Sequence, residues 1–344
     1  MDIFAFVILS FVTISILLVP FINILYRVKF LRQKQVTRDI FEVRTPIFDK
    51  LHSHKVGTPV GGGALIIFVV SLLYILISYI LPQLGYKQTS LYEYKKEVQI
   101  LLLTFISFGF LGLYDDIRKM FGLKRAKIWG LRFRHKFLLQ LALSGIISAL
   151  LYFSLGIDFV NVTFFDVFHI GYFYIPFAAF TIVSFTNAVN ISDGLDGLAT
   201  GLLLISLIAF LIISRSILDT TLSLFLGLWI GSLIAFLYFN VWPARIWLGD
   251  VGSSSFGATI AVCGLLLGKP IALGIIGGVF IVEVLSSLLQ LLSKRIFKKK
   301  VFVVSPLHLW LQYIGWPEAK IVSRFWLAQA MFAIIGLWLA FTPL

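Results

Sequence analysis

Two adjacent carboxylates, Asp115 and Asp116, close an apolar run that ends Leu111-Gly112-Leu113-Tyr114. Ionisable groups at the edge of such a run are costly to bury and are usually functional. Paired acids can hold Mg²⁺ through oxygen or supply a base; the plainer alternative is a solvated helix end. Lys119 follows Asp115 by four residues and shares its face if the helix continues. A second cluster runs from Asn187 to Gly197. Asn187, Asn190, Asp193 and Asp196 are spaced by three, so helical geometry stacks them on one side. Two Asp-Gly steps break the helix there and let backbone approach a ligand closely. A tight polar turn needs only one such step, which favours function. A third cluster spans Asn240 to Ser253. Asp250 stands in a glycine-flanked turn leading into an apolar run and suits a ligand for phosphate-bound Mg²⁺. Trp247 can stack on a base, although an interfacial aromatic anchor is its more ordinary role. Before Gly61-Gly62-Gly63 lie His52, His54 and Lys55, a lysine and glycines that suit an anion near a helix start; this is not a P-loop, because no Lys-Ser/Thr follows the glycines. His308 precedes Leu309-Trp310 in an amphipathic stretch and stands out only by the company it keeps.

The elements that position these residues are membrane spans. The chain has 344 residues, 59% of them hydrophobic and only 13% charged, with a mean hydropathy of +0.98. Soluble chains of this length do not carry so much apolar surface. About ten runs are long enough to cross the hydrocarbon as helices, near 3–26, 60–81, 98–114, 136–154, 172–189, 195–213, 219–239, 254–268, 270–292 and 321–341. The first lacks a basic leader and a small-residue cleavage signature, and reads as a retained span. The runs are continuous, which excludes the alternating strands of a β-barrel. The reading is an all-α polytopic membrane protein forming one domain over residues 1–344. One cysteine, Cys263, excludes an intrachain disulfide and a Cys-based zinc cage.

The net charge of +13 sits in loops, so topology and anionic ligands explain it better than nucleic acid does. The loops after spans one, three and nine hold eight, seven and six Lys/Arg respectively. The positive-inside bias puts the odd-numbered loops in the cytoplasm and both termini outside it. Every polar cluster named above falls on that same side. Basic loops, three carboxylate clusters and no Cys/His cage point to Mg²⁺ and phosphates, and a site at the membrane face points to a lipid substrate. A transporter would instead bury its polar groups mid-span between related halves. A channel would need an oligomeric ring of charge.

The stretches Lys55 to Gly63, Leu113 to Lys119, Lys136 to Gln140, Asn187 to Gly197, Gly249 to Ser253 and Gly315 to Trp326 run in order along nearly the whole chain. Together they resemble the phospho-N-acetylmuramoyl-pentapeptide-transferase family. The Asn-Ala-Val-Asn…Asp-Gly-Leu-Asp-Gly block marks the wider polyprenyl-phosphate phosphosugar transferases. The resemblance implies ten spans in a bacterial inner membrane. It also implies transfer of phospho-MurNAc-pentapeptide from UDP-MurNAc-pentapeptide to undecaprenyl phosphate, giving UMP and the first lipid intermediate of peptidoglycan. By motif position, Asp250 would bind Mg²⁺. Asp115 and Asp116 would sit by the lipid phosphate, one as a candidate base, and Lys119 and Lys136 would steady phosphates. Asn190, Asp193, Gly194, Leu195 and Asp196 would line the nucleoside pocket, with Trp247 at the plane where uracil stacks. Lys55, Asn187, Asn240 and Gln290 also fall on family polar positions. Expected partners are the two substrates, the bilayer and, as one option, a second copy of the chain. The family's three consecutive histidines and Phe-Glu are replaced here by His308-Leu309-Trp310-Leu311-Gln312, and its second Thr after Gly-Thr-Pro by Val60. These departures bear on the amino sugar and peptide more than on the reaction, and keep another UDP-HexNAc:polyprenyl-phosphate transferase as a rival.

Overall fold

The structure, a computed structural model, describes residues 3–32, 46–51, 55–121, 133–162 and 165–342. It is a helical bundle. In chain order the helices are α1 (Ile3–Arg27), α2 (Pro46–Leu51), α3 (Gly62–Gln83), α4 (Tyr94–Phe121), α5 (Phe133–Leu155), α6 (Tyr174–Ser192), α7 (Leu198–Ser216), α8 (Thr220–Asn240), α9 (Gly249–Leu266), α10 (Pro270–Ile276), α11 (Gly278–Ile296), α12 (Leu307–Tyr313) and α13 (Glu318–Phe341). The sheet among the described residues is one hairpin, β1 (Phe159–Val162) antiparallel to β2 (Asp166–His169), with Phe159 opposite His169. His52 and His54 lie outside the described residues.

Each expected apolar run coincides with helix, but not all in the expected form. Among the described residues, eight helices are long and apolar enough to cross a membrane on their own. The ninth expected span, 270–292, is two helices, α10 and α11, meeting at 78°. The break falls at Gly277, where a Cβ would stand 2.5 Å from the Phe185 ring. The eighth expected span, 254–268, falls on α9, which starts at Gly249 and is not among those apolar helices. Its Gly-Ser-Ser-Ser stretch is tolerated because α9 lies inside the bundle, with all its residues but Asp250 buried.

Around α9 the packing is close. A Cβ added to Gly63 of α3 would lie 2.2 Å from the Gly252 Cα, and one added to Gly112 of α4 would lie 2.0 Å from the Asp250 carbonyl oxygen. Small residues thus let three helix backbones touch. Deeper in, Phe105, Phe225, Trp229 and Phe256 pack edge-to-face, tilted or stacked, with centroids 5.2–5.8 Å apart, within the range aromatic pairs prefer. At 28 residues α4 is about 42 Å long. It outruns a ~30 Å hydrocarbon layer, and Asp115, Asp116 and Lys119 lie in its last two turns.

At that end three chain segments are stitched by backbone hydrogen bonds. Leu31 forms a bridge with Pro59, and the Arg32 N–H donates to the Thr58 carbonyl at 3.1 Å. The Trp247 N–H donates to the Pro59 carbonyl at 3.0 Å. The Gly62 and Gly63 N–H groups donate to the Trp247 and Leu248 carbonyls at 2.8 and 3.0 Å. The first N–H groups of α3 are therefore taken by backbone, which corrects the expectation that this glycine run cradles an anion.

Candidate functional site

Four helices converge on Asp250, in the first turn of α9. Its Oδ2 accepts from Lys119 Nζ at 2.5 Å and from Lys136 Nζ at 2.6 Å, while its Oδ1 accepts from Asn190 Nδ2 at 3.1 Å. The same lysines stand 3.1 and 3.2 Å from Asp115 Oδ2. Asp116 Oδ2 accepts the Val251 N–H at 2.9 Å. A Cβ at Gly249, whose φ is +76°, would sit 2.7 Å from that carboxylate, so glycine is needed for both the backbone angle and the approach. Asn190 also donates to Ser253 Oγ at 2.7 Å, and Asn187 to Gln140 Oε1 at 3.0 Å. α4, α5, α6 and α9 thus bring three carboxylates and two ammonium groups together, braced by amides.

A second cluster adjoins it. Lys55 pairs with Asp196 at 3.0 Å and Glu318 at 2.5 Å, all nearly excluded from solvent. Glu318 Oε1 accepts the Asp196 N–H at 2.6 Å, and Asp196 Oδ2 accepts the Ala244 N–H at 2.9 Å. The triad ties the α3 entry, the α6–α7 turn, the α8–α9 turn and the start of α13. Leu195 is buried in the same turn. The polar row expected from Asn187 to Asp196 is helical only through Asn190, because α6 ends at Ser192; Asp193 and Asp196 project from the turn. Burial, with Asp250 and Asp116 nearby, holds the Asp193 carboxyl well above the usual range, against Lys55 and Arg32.

His308 lies 1% exposed on α12. Its backbone N–H donates to Glu283 Oε1 at 3.1 Å, and its Nδ1 stands 2.7 Å from Glu283 Oε2. Its Nε2 abuts Gly194, where a Cβ would sit 2.5 Å away. The close backbone approach at Gly194 is therefore made to an imidazole of this chain. Trp247 carries cations against its ring, Lys55 Nζ at 4.8 Å and the Arg32 guanidinium at 4.9 Å from the centroid.

Two expected site residues face inward. Asn240 accepts from Thr200 at 2.7 Å and donates to the Ile246 carbonyl at 2.9 Å, which shapes the turn carrying Trp247. Gln290 takes the Val301 and Phe302 N–H groups and donates to the Phe302 carbonyl at 2.7 Å. Its amide orders the 301–302 loop rather than pointing into the carboxylate centre. Three residues that shape the site, Glu283, Glu318 and Arg32, are not among those the sequence singles out. Glu283 has a signal, being an acid inside an apolar run. Glu318 falls in the stretch from Gly315 to Trp326 with no role attached. Arg32 is one basic loop residue among many.

Residues 98–268 match the family model described as Glycosyl transferase family 4. The chain is 34% identical over 335 residues to the phospho-N-acetylmuramoyl-pentapeptide-transferase of Clostridium perfringens, covering 96% of each chain. It is 37% identical over 295 residues to that of Caldanaerobacter subterraneus, covering 86% of this chain and 87% of the relative. It is 35% identical over 337 residues to that of Borreliella afzelii, covering 92% and 89%. The helical bundle and these relatives together define a multi-pass membrane transferase. Within that class, the chain belongs to the phospho-N-acetylmuramoyl-pentapeptide-transferase family.

Proposed function

We propose that this chain transfers phospho-MurNAc-pentapeptide from UDP-MurNAc-pentapeptide to undecaprenyl phosphate at the cytoplasmic face of a bacterial inner membrane. In the reaction an acceptor phosphate oxygen bonds to the sugar-bearing phosphorus, and the bond from that phosphorus to the UMP oxygen breaks. The observation that carries the reading is the convergence of Lys119 and Lys136 on Asp115 and Asp250. Phosphoryl transfer asks for placement and charge neutralisation more than for covalent help, and two ammonium groups beside an acidic centre supply both. Lys119 and Lys136 would steady the phosphates, Asp115 and Asp116 would face the lipid phosphate, and Asn190 would orient Asp250. The turn from Asp193 to Asp196, with Trp247, would hold the nucleoside.

Mg²⁺ suits this centre. Among the described residues no group of three or more His, Cys, Asp or Glu is arranged to hold a metal ion by itself. The protein's share would therefore be one or two carboxylates, the usual way Mg²⁺ is held beside phosphates. Asp250 has the donor chemistry, and it already attracts two cationic groups to one oxygen. Asp250 would hold the ion, and the ion would supply charge neutralisation for the diphosphate.

A second reading, transfer of another UDP-HexNAc, is favoured by one observation. At the positions of the missing histidines, Leu309 is buried and Trp310 packs 6.5 Å from Phe302. UMP release by the purified protein with UDP-MurNAc-pentapeptide and with UDP-GlcNAc separates the two. Turnover with the muramoyl donor supports the first, turnover with UDP-GlcNAc alone supports the second, and release with neither sinks both.

A further inference from the structure

We propose that Arg32 is a further donor-binding residue, whose guanidinium takes the diphosphate of the sugar nucleotide beside Trp247. The assignment rests on the reading of this site as a sugar-nucleotide site. The first ground is position. Arg32 follows Leu31, which is bridged to Pro59, and Pro59 accepts the Trp247 N–H. Its backbone is fixed twice, by the N–H bond to Thr58 and by a carbonyl that accepts from Gly57 at 2.9 Å. The guanidinium lies over the indole, 4.9 Å from the centroid, and extends from a backbone already held by pairing.

The second ground is an unused hydrogen-bonding capacity. A guanidinium carries five N–H donors in a fork that matches phosphate. Among the described residues Arg32 has no side-chain hydrogen bond or ion pair; its side-chain contact is the indole face. This distinguishes it from Lys55, Lys119 and Lys136, each committed to carboxylates at 2.5–3.2 Å. The third ground is the field around it. Asp193, Asp196, Asp250 and Asp49 all act on this guanidinium, against the burial that pulls its pKa down. In position it shares the Trp247 indole with Lys55, which is itself paired to Asp196 of the nucleoside turn, so it stands where the diphosphate leaves the nucleoside. That position favours the donor's diphosphate over the acceptor's phosphate, which belongs with Lys119 and Lys136.

The test uses the full-length protein in detergent with Arg32→Gln and Arg32→Lys, and reads binding as well as turnover. Calorimetry with uridine, UMP and UDP comes first. Arg32→Gln is expected to weaken UDP at least tenfold while leaving uridine within about twofold, and Arg32→Lys to restore part of the loss. In turnover, Arg32→Gln is expected to raise the donor KM at least tenfold with the polyprenyl-phosphate KM unchanged. Equal losses for uridine and UDP would overturn the proposal in favour of a base-side role. So would a change confined to the acceptor KM, or wild-type affinity for UDP in Arg32→Gln. A thermal midpoint for Arg32→Gln matching wild type guards the binding result against misfolding. If wild type itself binds no uridine nucleotide and releases no UMP, the site reading fails, separately from the Arg32 assignment.

Discussion

Asp250 carries the largest electrostatic load at the scale of single residues. One of its oxygens takes two ammonium donors and the other an amide. Asp250→Asn keeps the shape but removes the charge that gathers the lysines, so UMP release should fall by about 1,000-fold, a barrier change of ~4 kcal/mol, with the fold intact. Activity within about tenfold of wild type, a barrier change of only ~1.4 kcal/mol, would remove Asp250 from the essential machinery. His308 and Glu283 act as one unit, because both carboxylate oxygens of Glu283 are engaged by the histidine. His308→Ala should cost about 2 kcal/mol of transition-state stabilisation, near the scale of one charge-stabilising donor. Glu283→Leu should cost a similar amount, and the double variant no more than the worse single, as expected of coupled groups. Additive losses in UMP release would show that Glu283 does not act through His308. The carboxylates Asp115, Asp116, Asp193, Asp196 and Asp250 are legible in the sequence because charge at the end of an apolar run is conspicuous. Apart from Lys119 with Asp115, four residues apart on one helix, which lysine pairs with which acid is not, since the other pairs span 21 to 263 residues of chain and depend on how the helices meet.

Between elements, the site depends on contacts made by absent side chains. Gly112 seats α4 on the Asp250 backbone, and Gly63 seats α3 on Gly252. In both places the opposing atom is backbone, which cannot rotate away. Gly112→Ala and Gly63→Ala should each destabilise the protein by about 1–3 kcal/mol, as overpacking does, seen as a lower thermal midpoint. Gly112→Ala should also lower UMP release, because it pushes Asp250 away from Asp115. Gly145→Ala on α5 is the control: nothing lies within 4 Å of its would-be Cβ, so stability should hold or rise slightly. If all three behave alike, close helix approach is not what seats α9. A glycine inside an apolar run looks the same in sequence whether it faces lipid or a neighbouring backbone, and for this reason none of these contacts is visible before the helices are placed.

For the whole molecule, the order of the apolar helices is legible because a span needs about 20 apolar residues in a row. The 78° turn at Gly277 is not, because the run stays apolar across the break. Orientation is expected from charge: the loops after the first, third and ninth expected spans hold most of the Lys/Arg. We expect a reporter that works only in the cytoplasm, fused after Leu344, to be silent; a bright signal would reverse the orientation and move the carboxylate centre to the other face. The burial of α9 has a consequence for how the chain is made. Most helices here present apolar surface that a translocon can release directly into lipid. α9 opens Gly-Asp-Val-Gly-Ser-Ser-Ser and, emerging alone, has too little to offer the bilayer. α4 and α6, which flank it in the finished bundle, both leave the ribosome earlier. They would have to wait near the insertion channel and accept α9 as it arrives. A fusion carrying α9 alone between two reporter domains should fail to insert, and a fusion that begins at α4 should insert it. The helix that delivers Asp250 would then be the one whose entry into the membrane depends on the rest of its active site being there first.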